Sequence, residues 1–123
     1  MTTEEINYDV LIVGAGPSGL SAAIKLKQLA SENNQDISVC VVEKASQIGG
    51  HTLSGAEIDV SSLAELLPNW ENTNPPIVTQ VTKDNFFYFT KKSALKIPNF
   101  LLPNTLSNKN HFVVSLSEVV KWM

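Results

Sequence analysis

Residues 8–26 read YDVLIVGAGPSGLSAAIKL and place glycines at 14, 16 and 19 directly behind four branched apolar residues. Val10, Leu11, Ile12 and Val13 are apolar without alternation, the pattern of a strand covered on both faces of a parallel sheet. Pro17 suits the first turn of a helix, where its missing N–H costs nothing. Leu20, Ala23, Ile24 and Lys27 then recur at helical spacing, with the lysine stem at the edge of the apolar face. SENNQD at 31–36 closes that helix with turn chemistry, and Ile37 to Val42 is a second apolar strand. The spacing predicts a βαβ unit over residues 8–43 with a right-handed crossover.

Three glycines at one strand–helix junction are costly unless the backbone must approach something closely. GAGPSG has the G-x-G-x-x-G form of a dinucleotide fingerprint in the required place, after a strand and opening a helix. Gly14 makes the tight turn, Gly16 lets the backbone approach a pyrophosphate, and Gly19 lets the helix pack on the strand. The unpaired N–H groups and positive dipole of the helix N-terminus favour a diphosphate. The expected cradle is Val13, Gly14, Ala15, Gly16, Pro17, Ser18 and Gly19. Glu43, ending the second strand, is placed to accept hydrogen bonds from an adenosine ribose and to repel a 2′-phosphate, which counts against NADP. Lys44 beside it belongs to the same expected set. Alone, the glycine spacing is weak and Glu43 is as readily a solvated strand-end charge; together with the strands and helix they point to dinucleotide binding.

The segment EKASQIGG follows, with Gly49 and Gly50 six and seven residues past the acid. That order resembles the FAD-binding domains of glutathione-reductase-like flavoproteins. The paired glycines could bring backbone amides to the phosphate and ribityl region, with Thr52 and Ser54 as hydroxyl partners. The plainer alternatives are a flexible turn and hydroxyls bonded to local backbone.

The composition fits one globular domain: 123 residues, 43% hydrophobic, 17% charged and a net charge of −3, which gives no general attraction to nucleic acid. A single cysteine, Cys40, excludes a disulfide framework and an internal thiolate cluster, and reads as a small buried hydrophobe. MTTEEINYDV shows no basic or apolar leader, and Val10–Ile24 is too short to span a bilayer.

Beyond the βαβ unit, Ser62 and Glu65 have capping-box spacing, and Leu63, Leu66, Leu67 and Trp70 form a helical stripe that Pro68 cuts short. A short strand is expected near Ile77–Val81. NFFYFT and ALKIP, separated by Lys91–Lys92–Ser93, predict a β-hairpin of core aromatics with a solvated turn. Phe112–Val114 reads as a strand with His111 at a strand edge. Ser115 and Glu118 form a second capping box opening a helix that has barely begun at Met123. His51 reads as a hydrogen-bonded loop residue. The expected fold class is α/β: a Rossmann-type, glutathione-reductase-like FAD-binding domain, with the βαβ unit followed by a hairpin region. Residues 1–123 are read as an N-terminal part of that domain, incomplete at its C-terminus.

Several stretches carry a closer resemblance: residues 8–30, ISVCVVEKASQIGGHTLSGAEID, IPNFLLP and VVSLSEVVKW. Together they resemble the electron transfer flavoprotein–ubiquinone oxidoreductase family from about Tyr8 to Met123, and GGHTLSGAEID and IPNFLLP are the specific parts. The resemblance implies a monotopic membrane flavoenzyme carrying FAD and one [4Fe–4S] cluster, taking electrons from reduced electron transfer flavoprotein and giving them to ubiquinone. It implies FAD on Val10–Ile24 with Glu43 at the ribose, and a membrane-dipping segment over about Ile48–Asn69, with Leu63, Leu66 and Leu67 as contacts. Bottom-up, that stripe reads more readily as core. Cluster cysteines and the quinone site are expected beyond Met123. The cytoplasmic face of a bacterial inner membrane is the expected location, with the mitochondrial inner membrane as the alternative. The family's Gly-Ala before His-Thr-Leu-Ser-Gly is Gly49-Gly50 here, and its Asn-Asn-His-Gly-Asn-Tyr stretch is SNKNHF at 107–112, onto which no role is carried. Two other readings stay open, a geranylgeranyl-reductase-type flavoprotein and a nucleotide-binding module without redox activity.

Overall fold

The computed structural model describes residues 5–123. Strand β1 (Val10–Val13) and strand β2 (Val39–Val42) pair in parallel, in register from Val10↔Val39 to Val13↔Val42. Helix α1 (Pro17–Glu32) connects them, capped by Gly16 and carrying its proline in the first turn. Asp9 locks the start of the pair: its carboxylate accepts hydrogen bonds from the Ser38 amide and hydroxyl at 2.8 and 2.6 Å. β2 begins at Val39, two residues later than Ile37, because Ser38 is taken up in that clamp.

The expectation of a strand covered on both faces is corrected here. Leu11 and Val13 are 60% and 82% exposed, while Val10 and Ile12 are half-buried beneath α1. Only two strands form this sheet, so its second face has nothing packed on it among the described residues. Cys40 is likewise half-buried, not enclosed.

A second sheet is antiparallel, with strands β3 (Ala56–Asp59) and β4 (Thr79–Gln80) flanking β7 (His111–Val114). His111 therefore lies at one end of the central strand, opposite Asp59, and not on a sheet edge. Trp70, Ile77, Val114 and Val119 form the buried core beside this sheet, and Trp70 meets Phe112 edge-to-face at 6.4 Å. Helix α2 (Ser61–Leu66) turns Leu63 and Leu67 onto that core. Leu66 faces α1, where its carbonyl accepts a 2.9 Å hydrogen bond from Gln28 Nε2. Leu63 and Leu67, two of the residues implied as membrane contacts, are half-buried against this core. Pro68 follows directly, and α2 ends ahead of it.

Neither capping box closes. Helix α2 starts before Ser62, and Asp59 satisfies the Ser61 amide at 2.9 Å instead. Ser115 caps helix α3 (Leu116–Trp122) with backbone geometry alone, because its hydroxyl contacts Ser117 and Ser54 and Glu118 pairs with Lys121. Strands β5 (Phe86–Phe89) and β6 (Ala94–Ile97) form the expected hairpin, with Thr90 and Ser93 bonded across its turn. Its aromatics are not core, since all four residues of β5 are exposed. Short 3₁₀ turns follow at Asn99–Leu101 and Asn104–Leu106.

Candidate dinucleotide site

The glycine loop joins the C-terminal end of β1 to the N-terminus of α1. The Gly14 amide donates to the Val42 carbonyl at 2.7 Å, extending the parallel ladder one residue into the turn. Gly14 then adopts φ +102°, a backbone conformation that side-chain-bearing residues rarely take. A Cβ on Gly19 would lie 2.0 Å from the Gly14 carbonyl oxygen and 3.3 Å from the Ile12 side chain, so this glycine lets helix and strand close on each other. A Cβ on Gly16 would meet nothing within 4 Å. The front of the loop is open space that an absent side chain leaves to a ligand.

The first intrahelical hydrogen bond of α1 runs from the Leu20 amide to the Gly16 carbonyl. The amides of Ser18 and Gly19 therefore have no helical partner, and Pro17 has none to offer. A sixteen-residue helix directs its positive dipole end at the same point. This donor set fits a diphosphate.

Glu43 stands across the mouth of the loop. One carboxylate oxygen accepts the amide of buried Ala15 at 2.8 Å, and the other accepts the Ala45 amide at 2.9 Å. The Ala45 amide, followed by that of Ala15, holds the carboxyl below the usual carboxylate range, since both stabilise the ionised form. Each oxygen retains a lone pair for a sugar hydroxyl. The carboxylate thus ties the glycine loop to the turn after β2.

The structure brings Val13, Gly14, Ala15, Gly16, Pro17, Ser18, Gly19 and Glu43 together around this loop. Lys44 follows Glu43 with its side chain exposed. The second glycine pair is placed differently. Gly49, at φ +77°, would bring a Cβ within 2.6 Å of the Ser117 carbonyl, so its bareness serves the seating of this loop on α3. The Gly50 amide is occupied by the Gln47 carbonyl at 3.1 Å and the Thr52 amide by the Gly49 carbonyl at 3.1 Å. Ser54 is exposed, with its hydroxyl 3.4 Å from that of Ser115. Two participants escaped the sequence reading, the Ala45 amide and Ser117. Ala45 offers only a main-chain donor, and Ser117 lies far from Gly49 in sequence.

A groove of about 840 Å³ runs along α1 and β2, lined by Leu20, Ala23, Ile24, Val39, Val41 and Met123 among others. It does not include the glycine loop and has the apolar character of a packing face. Among the described residues, no three His, Cys, Asp or Glu side chains are grouped to hold a metal.

Residues 12–83 match the family described as NAD(P)-binding Rossmann-like domain, a span that starts in β1 and contains the whole glycine loop, α1 and Glu43. The chain belongs to that family. It is also homologous to proteins named electron transfer flavoprotein–ubiquinone oxidoreductase. Identity is 51% with the mitochondrial protein of Arabidopsis thaliana, over 98% of this chain and 18% of that protein. It is 47% with the protein of Pseudomonas aeruginosa, over 100% and 22%, and 51% with the mitochondrial protein of Rattus norvegicus, over 94% and 18%. The chain spans about a fifth of the length of these relatives.

Proposed function

We propose that this chain is the dinucleotide-cradling part of an FAD-dependent oxidoreductase that accepts electrons from reduced electron transfer flavoprotein and delivers them to ubiquinone. One observation carries the cofactor reading: the Glu43 carboxylate is bonded to the Ala15 amide at the open front of Gly14–Gly19. That geometry suits an adenosine diphosphate with its diphosphate on the bare amides and its ribose at Glu43. The carboxylate would repel a 2′-phosphate, which disfavours NADP. FAD over NAD, and the reaction itself, are supported by similarity to the named relatives along nearly the whole chain.

When bound, FAD supplies the redox chemistry. The chain's own residues bind and orient it. The Ser18 and Gly19 amides offset the diphosphate charge, Gly16 admits it to the backbone, and Glu43 fixes the sugar. Lys44, Gly49, Gly50, Thr52 and Ser54 complete the proposed set, with Gly49 acting through its seat on α3. The [4Fe–4S] cluster and the quinone site belong to the longer protein. No helix among the described residues is long and apolar enough to cross a membrane. Attachment to a membrane surface over about Ile48–Asn69, with Leu63, Leu66 and Leu67 as contacts, belongs to the proposal and rests on the family resemblance.

The test is purification of the natural-length protein. Bound flavin absorbance, together with reduction of a ubiquinone analogue by reduced electron transfer flavoprotein, is the expected result. A colourless preparation that binds NAD would overturn the proposal.

A further inference from the structure

We infer that Ser115 is a positioning residue for the dinucleotide site: it fixes the loop that delivers the Ala45 amide to Glu43, and so sets the carboxylate proposed to meet the ribose. This rests on the cofactor reading above and deepens it with a residue from the far side of the fold. Ser115 precedes the first turn of α3, where a serine hydroxyl ordinarily accepts a hydrogen bond from an amide two or three residues on. It makes no such bond here; the Glu118 and Val119 amides go to the Ser115 carbonyl, at 3.0 and 3.1 Å. Its hydroxyl instead lies 3.1 Å from that of Ser117 and accepts from that of Ser54 at 3.4 Å. One hydroxyl can accept and donate at once, so the two contacts are compatible. The helix forgoes a side-chain cap, and the group that would supply it is turned towards the loop that begins after Glu43.

That loop can carry a displacement from α3 to the carboxylate. The Gly50 amide closes on the Gln47 carbonyl and the Thr52 amide on the Gly49 carbonyl, so residues 47–52 form two overlapping turns. Gly49 rests on the main chain of Ser117, so closely that a Cβ would have no room. A Cβ on Gly50 would lie 3.2 Å from the side chain of Ala45, so the same turns bear on the residue that serves Glu43. The Ala45 amide is the leading cause of the lowered Glu43 carboxyl, ahead of the Ala15 amide. The seat itself is held firmly, because Val114 before it and Val119 after it are buried in the core. Ser54, at the end of the loop, is drawn to the same seat through the Ser115 hydroxyl. Release of the loop from α3 withdraws the Ala45 donor, and one of the two amides that aim the carboxylate is lost.

The natural-length protein carrying S115A or S115T tests this, by FAD titration and by amide exchange in the flavin-free form. S115A should weaken FAD binding about three- to tenfold, the contribution of one neutral hydrogen bond, and quicken exchange at Ala45. S115T keeps the hydroxyl and should hold both near the parental values. In an E43Q background S115A should have hardly any further effect on affinity, because its action passes through that carboxylate. An ordinary helix cap would behave otherwise: S115A would lower the urea midpoint while FAD affinity and Ala45 exchange stayed parental, and that result overturns the inference. An S115A effect on affinity as large in E43Q as in the parent also overturns it, since Ser115 then acts independently of Glu43. If the parent itself binds no flavin, the cofactor reading falls and the inference with it; parental FAD binding that S115A leaves unchanged overturns the inference alone.

Discussion

Two substitutions one turn apart should separate folding from binding. In G19A the new Cβ would sit 2.0 Å from the Gly14 carbonyl oxygen, and real Cβ contacts below 3.0 Å essentially do not occur. The carbonyl must therefore retreat by about 1 Å, and it belongs to main chain that β2 holds through the Gly14–Val42 bond. Overpacking of this kind costs about 1–3 kcal/mol, towards the upper end when backbone must move. Alanine recovers up to about 1 kcal/mol of helix propensity, leaving a net loss near 2 kcal/mol. In the apoprotein that lowers the urea midpoint by about 1 M for a slope of about 2 kcal/mol/M. In G16A the Cβ meets nothing, and φ −80°, ψ −179° is ordinary extended backbone. Apoprotein stability should stay within about 0.5 kcal/mol. The methyl group occupies the space proposed for the diphosphate, however, and losing one charge-assisted hydrogen bond of about 1.5–3 kcal/mol weakens FAD binding ten- to hundredfold or more. Urea titration of apoprotein and flavin titration give both numbers. If G16A binds FAD like the parent, no diphosphate rests on this loop; if G19A unfolds at the parental midpoint, the glycine is not holding helix to strand.

Three further outcomes follow from the same geometry. E43Q keeps one carbonyl acceptor where two carboxylate oxygens served, so amide exchange at Ala15 or Ala45 should quicken and FAD affinity fall; unchanged exchange at both would show that the carboxylate is not the tie. Because the Glu43 carboxyl is held below the ordinary glutamate range, its contribution is complete above that range and disappears as pH falls through the lowered value, which exchange or flavin retention in mild acid would detect. G49A combines φ +77° with a Cβ 2.6 Å from the Ser117 carbonyl and should destabilise by about 2–4 kcal/mol, with limited proteolysis opening residues 45–52 first. W70A removes a core side chain that is only 6% exposed and should cost about 3–5 kcal/mol in equilibrium unfolding.

The parallel strand pair and its glycine loop were legible in the sequence because their signals are local. Four apolar residues, three glycines, an N1 proline and a strand-ending acid all lie within 34 residues, from Val10 to Glu43. What covers an element is not local. Leu11 and Val13 look like any buried pair, yet their exposure depends on which layers are present. Phe86–Phe89 have strand composition whether they pack inward or outward, and here they face solvent. The capping boxes failed because hydroxyl-to-acid spacing fixes no helix start; Asp59 took the first amide of α2 from outside the pattern. Gly49 announced a need for glycine, but its reason, the Ser117 carbonyl, lies in an element 68 residues away that only the tertiary structure brings near.

The central place of β7 has a consequence for synthesis on the ribosome. β1, α1 and β2 can associate as soon as residue 42 is available, whereas β3 and β4 both wait for His111–Val114 before either finds a neighbour. During that interval Ile58, Trp70 and Ile77 lack their principal cover, and the nascent chain is at its stickiest. Translational pausing or premature termination within residues 60–110 would leave this protein as a ready client for trigger-type chaperones and proteases.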